Sequence, residues 1–238
     1  MIDIFYFSLI PCFCMILGGI IASIYRPGPM LTSATQHFAA GVVFAAVAKE
    51  LLPKLGAHNN IWVLVVGFML GVVIMILLKE FSEKLVSKQK SKKAIPFGML
   101  SAVGIDVFID GVLIGIAFLV GEQGGILVAV ALSMEVIFLG LSTAASLGKK
   151  GFKMPVSIIA VTLLALLIPT GSMGGAFLLK QLPYLYTTGL LAFGVAALLY
   201  LVTEELLAEA HEVEDTPWIT MSFFIGFLLI LIIENLSA

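Results

Sequence analysis

The chain has 238 residues, of which 61% are hydrophobic and only 12% charged, and its mean hydropathy is +1.14. This composition excludes a soluble domain and predicts an integral membrane protein. The net charge of −2 gives no indication of a nucleic-acid partner, and the sequence has no basic stripe with interleaved aromatic residues. We therefore expect no nucleic acid among the partners.

Eight apolar stretches are each about as long as a membrane-spanning helix, which needs ~20 mostly apolar residues. The first lacks a positively charged start and is too long for a signal peptide, so we interpret it as a retained helix. We predict an all-α integral membrane protein with one transmembrane domain, residues 1–238, and a polar cytoplasmic loop at 79–95. The predicted spans are 4–25, 35–52, 61–78, 96–120, 125–147, 155–179, 186–205 and 217–236.

The distribution of Lys and Arg predicts the orientation of these spans, because such residues are enriched in cytoplasmic loops. If the N-terminus is outside, the outer side holds only Lys49, Lys54 and Lys180. Both termini are then extracellular or periplasmic in a plasma or inner membrane. The cytoplasmic side would hold Arg26, Lys79, Lys84, Lys88, Lys90, Lys92, Lys93, Lys149, Lys150 and Lys153.

The sequence also contains an internal similarity. Residues 38–52 align without gaps on residues 193–207, in two spans that run in opposite directions. Asp106 and Gly111 in the fourth span match Glu135 and Gly140 in the fifth. These matches predict an inverted repeat in which spans 1–3 mirror spans 6–8 around a central pair, spans 4 and 5, as in many secondary transporters.

Three carboxylates lie inside the central pair of spans. Asp106 and Asp110 are four residues apart, which places them on one helix face, and Glu135 lies in the next span. A carboxylate at the centre of a bilayer costs ~2.5–3.5 kcal/mol, and neither span carries a Lys or Arg near them. Bound protons or a bound cation remain as candidates for neutralising them. We therefore predict a cation site between these two helices.

Further polar groups lie near the ends of the spans. An acidic segment lies at the cytoplasmic end of span seven and could attract and pass on cations at a cytoplasmic exit, with a solvated helix end as the alternative. Glu50 lies at the opposite, outer mouth, where the alternative is an ion pair at the interface. Ser133, Ser142 and Thr143 could add ligand oxygens but more often bond to backbone carbonyls. The exit candidates are Glu205, Glu209, His211 and Glu212, and the isolated His37 and His58 are expected to be structural.

Glycine and proline predict how the spans pack. Gly111 and Gly115, like Gly171 and Gly175, are four residues apart, a spacing that lets helices approach closely. Pro169 should kink or interrupt the sixth span near its middle, because proline lacks an N–H group and clashes with the preceding turn.

Together these patterns resemble the ZIP family of divalent-metal transporters over nearly the whole chain. The similarity lies in the eight spans, the outer termini, the cytoplasmic loop after the third span and the polar motifs of spans four and five. Glu50–Pro53 and Glu205–His211 are similar to the family's motifs at the ends of spans two and seven. Span four carries the motif at Asp106, Val107, Ile109, Asp110 and Gly111, continued by Gly115, Ala117 and Phe118, and span five carries it at Glu135 and Gly140.

The sequence departs from the family pattern in its metal ligands. The family's site often holds two metals bridged by glutamates, and the resemblance places Asp106, Asp110 and Glu135 at one of those positions. The groups that build the other position are replaced by apolar residues, so the resemblance implies a single metal site. The replacing residues are Val107, Val136, Leu139 and Ile168.

The resemblance implies a non-enzymatic transporter that moves Zn, Mn or Fe by alternating access, with the metal as its substrate. An all-oxygen ligand set suits Mg, Ca and Mn and, less selectively, Fe or Zn. The alternative is a non-transporting membrane sensor of cations or protons, or a degenerate paralogue. An intramembrane aspartyl protease fits less well, because its two aspartates normally come from two helices. The expected partners are the lipid bilayer, a metal ion and, as one option, a second copy of the chain.

Overall fold

The structure is a computed structural model that describes residues 1–24, 28–56, 61–87, 96–180, 184–214 and 216–237. Within these ranges every regular element is helical and no strand occurs, which confirms the predicted all-α class. The α-helices are α1 (Ile2–Ile24), α2 (Pro29–Ala46), α3 (Leu52–Gly56), α4 (Ile61–Ser87), α5 (Phe97–Val120), α6 (Glu122–Lys149), α7 (Met154–Ala165), α8 (Leu167–Leu179), α9 (Tyr184–Tyr200), α10 (Leu207–Ala210) and α11 (Pro217–Ser237).

Six helical stretches in the described part of the chain are long and apolar enough to cross a membrane. They comprise α1, α4, α5, α6, the α7–α8 pair and the stretch Tyr186–Ala210, and α11 adds a shorter apolar helix, Pro217–Ile233. The predicted second span is also helical, as α2 and its continuation into α3, but it is not one of the six. The chain is thus a multi-pass helical membrane protein.

The predicted loop at 79–95 is wrong in its first half, because α4 continues as a helix as far as Ser87. Lys84 pairs with Glu80 over 3.1 Å, one helical turn apart, and such pairs stabilise a helix beyond its apolar part. Lys79 pairs with Glu204 over 3.4 Å and so connects α4 to the end of span seven. Residues 88–95, like Arg26 and His58, lie outside the described residues.

The predicted interruption of the sixth span is confirmed. Helix α7 ends at Ala165 and α8 begins at Leu167, with a turn at Leu166 between them. Pro169 lies four residues after Ala165 and has no N–H group to donate to its carbonyl oxygen, which explains why the break falls there.

The glycine motifs bring helix backbones into direct contact, as predicted from their spacing. A β-carbon at Gly111 of α5 would overlap the carbonyl oxygen of Ile168 in α8, and one at Gly171 would overlap that of Phe108. The same kind of contact joins α1 to α6: a β-carbon at Gly18 would overlap the Ile137 carbonyl oxygen, and one at Gly140 would overlap that of Met15. The helices that carry the three carboxylates are therefore each held closely by one partner.

Two other helix pairs meet in the same way, α2 with α11 and α4 with α9. Gly226 of α11 faces the carbonyl oxygen of Phe38, and Gly71 of α4 faces that of Phe193. Both α2 and α9 pass into a short π-helical segment, Val47–Leu51 and Leu201–Leu206 respectively. Such segments often occur at functional positions in helices.

Candidate metal centre

The structure brings together the three carboxylates of the predicted cation site. Asp106 and Asp110 lie one turn apart on α5, and Glu135 faces them from α6. One oxygen atom from each of the three lies within 4.8 Å of the others. One cation with metal–oxygen distances of ~2.0–2.6 Å can bridge oxygens this close after small side-chain rotations.

Burial leaves these carboxylates with unused hydrogen-bonding capacity. Asp110 is 2% exposed and Glu135 is 6% exposed, and Asp106 is half-buried. Among the residues that the structure describes, buried Asp110 Oδ2 and Glu135 Oε2 have no hydrogen-bond partner. Within the described ranges, no Lys or Arg forms an ion pair with any of the three. A buried anionic oxygen needs a partner, and a hard cation fits this all-oxygen donor set.

Two neighbouring hydroxyl groups are already occupied by backbone carbonyls, as expected from the sequence. Ser133 Oγ donates to the Ala129 carbonyl oxygen over 2.6 Å, and Ser142 Oγ donates to that of Leu139 over 3.1 Å. Neither hydroxyl proton is free to meet the carboxylates. The oxygen lone pairs of both hydroxyls stay available to a cation, and the anionic ligands of the centre are the three carboxylates and, around them, the acids described next.

Acids at the end of span seven adjoin this centre. A cavity of about 100 Å³ is lined by Asp106 and Glu135 together with Glu205 and Glu209. A second cavity, of about 440 Å³, is also lined by Asp106, Glu205 and Glu209 and extends to Glu212. The centre therefore connects with the end of the bundle at which α10 lies, which we call the α10 end.

Gln36 on α2 also lines the small cavity and was not among the residues selected from the sequence. Its Nε2 donates to Glu209 Oε2 over 2.6 Å and so holds that carboxylate beside the centre. In the sequence, Gln36 is a lone amide near the start of the second predicted span. An isolated amide does not indicate which residue it contacts.

His211 does not line either cavity, unlike the acids around it. Its ring lies 5.1 Å from the ring of His37, a buried residue that stands alone in the sequence. Ser33 Oγ donates to the Ala210 carbonyl oxygen over 2.7 Å at the same contact. These groups join α2 to α10, two segments far apart in sequence, a contact that local sequence cannot indicate.

Glu50 lies at the opposite end of the bundle, which we call the α3 end. It is 8% exposed, and Lys54 Nζ contacts its Oε2 over 2.8 Å. An ion pair of Glu50, the alternative considered from the sequence, is thus present. Neither of the two cavities at the centre is lined by Glu50.

Apolar residues occupy the positions that the family resemblance assigns to a second metal. Val107, Val136 and Ile168 are fully buried in the core. Leu139 differs from them, because it lines both cavities beside Asp106. The space next to the three carboxylates is therefore partly filled by hydrocarbon, with Leu139 at its open edge.

Fold and site together define a class: a multi-pass helical membrane protein with a buried carboxylate cluster between two of its helices. No family model and no curated protein matches the chain.

Proposed function

We propose that this protein is a divalent-metal transporter of the ZIP type, which moves Zn, Mn or Fe across a plasma membrane without enzymatic chemistry. The proposal rests on one observation: three carboxylates converge in the apolar core, and two of their oxygens have no hydrogen-bond partner in the described part of the chain. In a permanent ion pair with Lys or Arg these oxygens would already have a partner. An exchangeable cation, by contrast, is a partner for them only while it is bound.

The packing of glycines supports an inverted repeat. Gly140 follows Gly111 by the 29 residues that separate Glu135 from Asp106. Gly140 contacts the carbonyl oxygen of Met15, and Gly111 contacts that of Ile168, which lies 153 residues after Met15. The reverse contacts obey the same two shifts. Gly18 and Gly171 are 153 residues apart, and the carbonyl groups that they face, Ile137 and Phe108, are 29 residues apart. The pairs α1–α6 and α8–α5 thus have the same kind of glycine–carbonyl contact at matching positions, which supports the proposed repeat.

The outer helices show a second correspondence, with a shift of 155 residues. Gly71 faces the Phe193 carbonyl oxygen, and Gly226 faces that of Phe38. Under this shift the π-helical segment Val47–Leu51 falls on Leu201–Leu206. These correspondences support eight spans arranged as three, two and three, with the carboxylates at the point where the repeats meet.

Access from one end favours transport by alternating access. Asp106 and Glu135 line the small cavity at the α10 end, while Glu50 at the α3 end is 8% exposed and paired with Lys54. The Lys and Arg bias assigns the α10 end to the cytoplasm. A carrier with a central site is open to one side at a time, so this arrangement corresponds to a cytoplasm-facing state.

A non-transporting cation sensor is the second candidate. Val107, Val136 and Ile168 fill with hydrocarbon the positions at which the resemblance expects further ligands, which favours this alternative. The two functions share the binding step and differ only in whether the cation crosses the membrane.

Uptake of radioactive Mn²⁺ or Zn²⁺ into proteoliposomes tests the proposal. We expect uptake by the parent protein, a marked loss for Asp110→Asn, and no change for Glu214→Gln, which removes an exposed acid outside the site. Metal binding by detergent-solubilised protein without uptake would favour the sensor. Absence of binding in both systems would contradict transport and sensing alike.

A further inference from the structure

We propose that Glu50 and Lys54 form the gate that closes the α3 end, and that Glu50 takes the place of Glu205 beside the cation when this end opens. The inference rests on the proposed transport function and adds a role for two residues outside the carboxylate cluster.

Glu50 and Glu205 occupy matching positions in the two halves of the chain. They are 155 residues apart, the shift that relates the Gly71 and Phe193 contact to the Gly226 and Phe38 contact. Each of the two acids lies in one of the π-helical segments. The same shift places Lys54 on Glu209, so an acid at one end corresponds to a base at the other.

The two matching regions differ in packing. Glu205, Leu206 and Glu209 line the small cavity at the centre. The counterparts of Leu206 and Glu205 are packed instead: Leu51 is 2% exposed, and Glu50 is 8% exposed and paired with Lys54. Gln36 and Ser142, which also line that cavity, correspond to Leu191 and Leu113, both of which are buried in the core.

The packed region, with Glu50 and Lys54, lies against the connection between α5 and α6. A β-carbon at Gly124, in the first turn of α6, would lie 3.3 Å from Lys54 Nζ and 3.4 Å from Glu50 Oε2. One at Gly121, between the helices, would lie 2.9 Å from Lys54 Nζ. Glycine at both positions allows the ion pair to lie directly against this connection.

In alternating access by inverted repeats, each repeat adopts the conformation that the other one has in this structure. The α3 end would then be as open as the α10 end is now. Glu50 and Lys54 would then line a cavity that reaches Asp110, the counterpart of Leu139. An ammonium group at this place repels an entering cation, so Lys54 has to leave Glu50 before a metal can be bound there. The ion pair thus neutralises Glu50 in the closed state and is broken in the open state.

The reaction rate of a cysteine at position 113 tests the gate without any metal, because Leu113 is buried now and is the counterpart of Ser142, which lines the small cavity. Leu113→Cys is introduced with Cys12 and Cys14 changed to alanine. Its reaction with a water-soluble maleimide is followed on the full-length protein in detergent. We expect Lys54→Met to raise the rate about fivefold, the population shift expected from losing one partly buried ion pair. Glu50→Gln should raise it equally, while Lys54→Arg should stay near the parent rate.

Lys79→Met is the matched control, because it removes a lysine from an ion pair with Glu204 at the other end. It should leave the reaction rate of the introduced cysteine unchanged, with thermal melting and gel filtration confirming that every variant is folded. A parent-like rate in both Lys54→Met and Glu50→Gln, or an equal rise in Lys79→Met, would overturn the gate. Mn²⁺ binding to the parent is measured separately, and its absence would refute the proposed function and not the gate.

Discussion

Asp110 is the most deeply buried of the three carboxylates at the centre, and its Oδ2 atom accepts no hydrogen bond from any residue that the structure describes. Asp110→Asn keeps the shape of the side chain and removes its charge. We expect Mn²⁺ affinity to fall at least about tenfold, since an anionic oxygen that contacts the metal is lost. The metal-free protein should melt no lower than the parent, because one uncompensated buried anion is gone.

Isothermal titration and thermal melting measure these two effects, with Glu214→Gln as the control at an exposed acid. Parent-like affinity in Asp110→Asn would mean that the cation is bound elsewhere.

Leu139 is the residue at which the reduced ligand set can be extended. It lies four residues after Glu135 and lines both cavities at the centre, whereas Val136 is fully buried. Leu139→Glu should therefore strengthen metal binding, and without metal it should destabilise the protein by ~2.5–3.5 kcal/mol through another buried acid.

Added Mn²⁺ should then raise the melting temperature of Leu139→Glu more than that of the parent, because binding stabilises only the folded state. Leu139→Gln has nearly the same size without the charge and should show no such increase. An equal metal response in the two variants would place Leu139 outside the reach of the cation.

At the scale of elements, the approach of α5 to α8 depends on glycines that the sequence already indicates. Gly111→Ala would force the α5 backbone away from the Ile168 carbonyl oxygen, and overpacking of this kind costs ~1–3 kcal/mol. Since Asp110 is the adjacent residue, metal binding should weaken as well.

Gly174→Ala on α8 is the matched control, because a β-carbon there has no atom within 4 Å and alanine favours a helix. Melting temperatures should therefore fall for Gly111→Ala and be unchanged or higher for Gly174→Ala. A parent-like melting temperature for Gly111→Ala would show that the two helices can separate freely.

For the whole molecule, protons and metal compete for the same carboxylate oxygens. Metal binding requires ionised carboxylates, so the apparent affinity for Mn²⁺ should decrease steeply as the pH is lowered from about 7 to about 5. Titrations at several pH values measure this dependence, and Asp110→Asn should show a shallower one. An affinity that does not vary over this range would contradict binding by the three carboxylates.

Much of this architecture could be predicted from local sequence patterns. Long apolar stretches indicate helices wherever they occur, and Pro169 indicates an interruption because it removes a backbone donor. The loop predicted at 79–95 failed because hydropathy does not detect a helix that continues through Glu80 and Lys84 as a charged surface helix. Hydropathy marks where a chain is apolar, and helices can extend beyond that point.

The sequence by itself determined that Asp106 and Asp110 share a helix face and that Glu135 lies in the next helix, because these relations depend only on helix periodicity and short connections. Only the tertiary structure decided that Glu205 and Glu209 adjoin the same centre and that Glu50 is packed against Lys54 at the other end. Contacts between distant segments follow from how helices pack against one another, and periodicity within one segment does not contain that information.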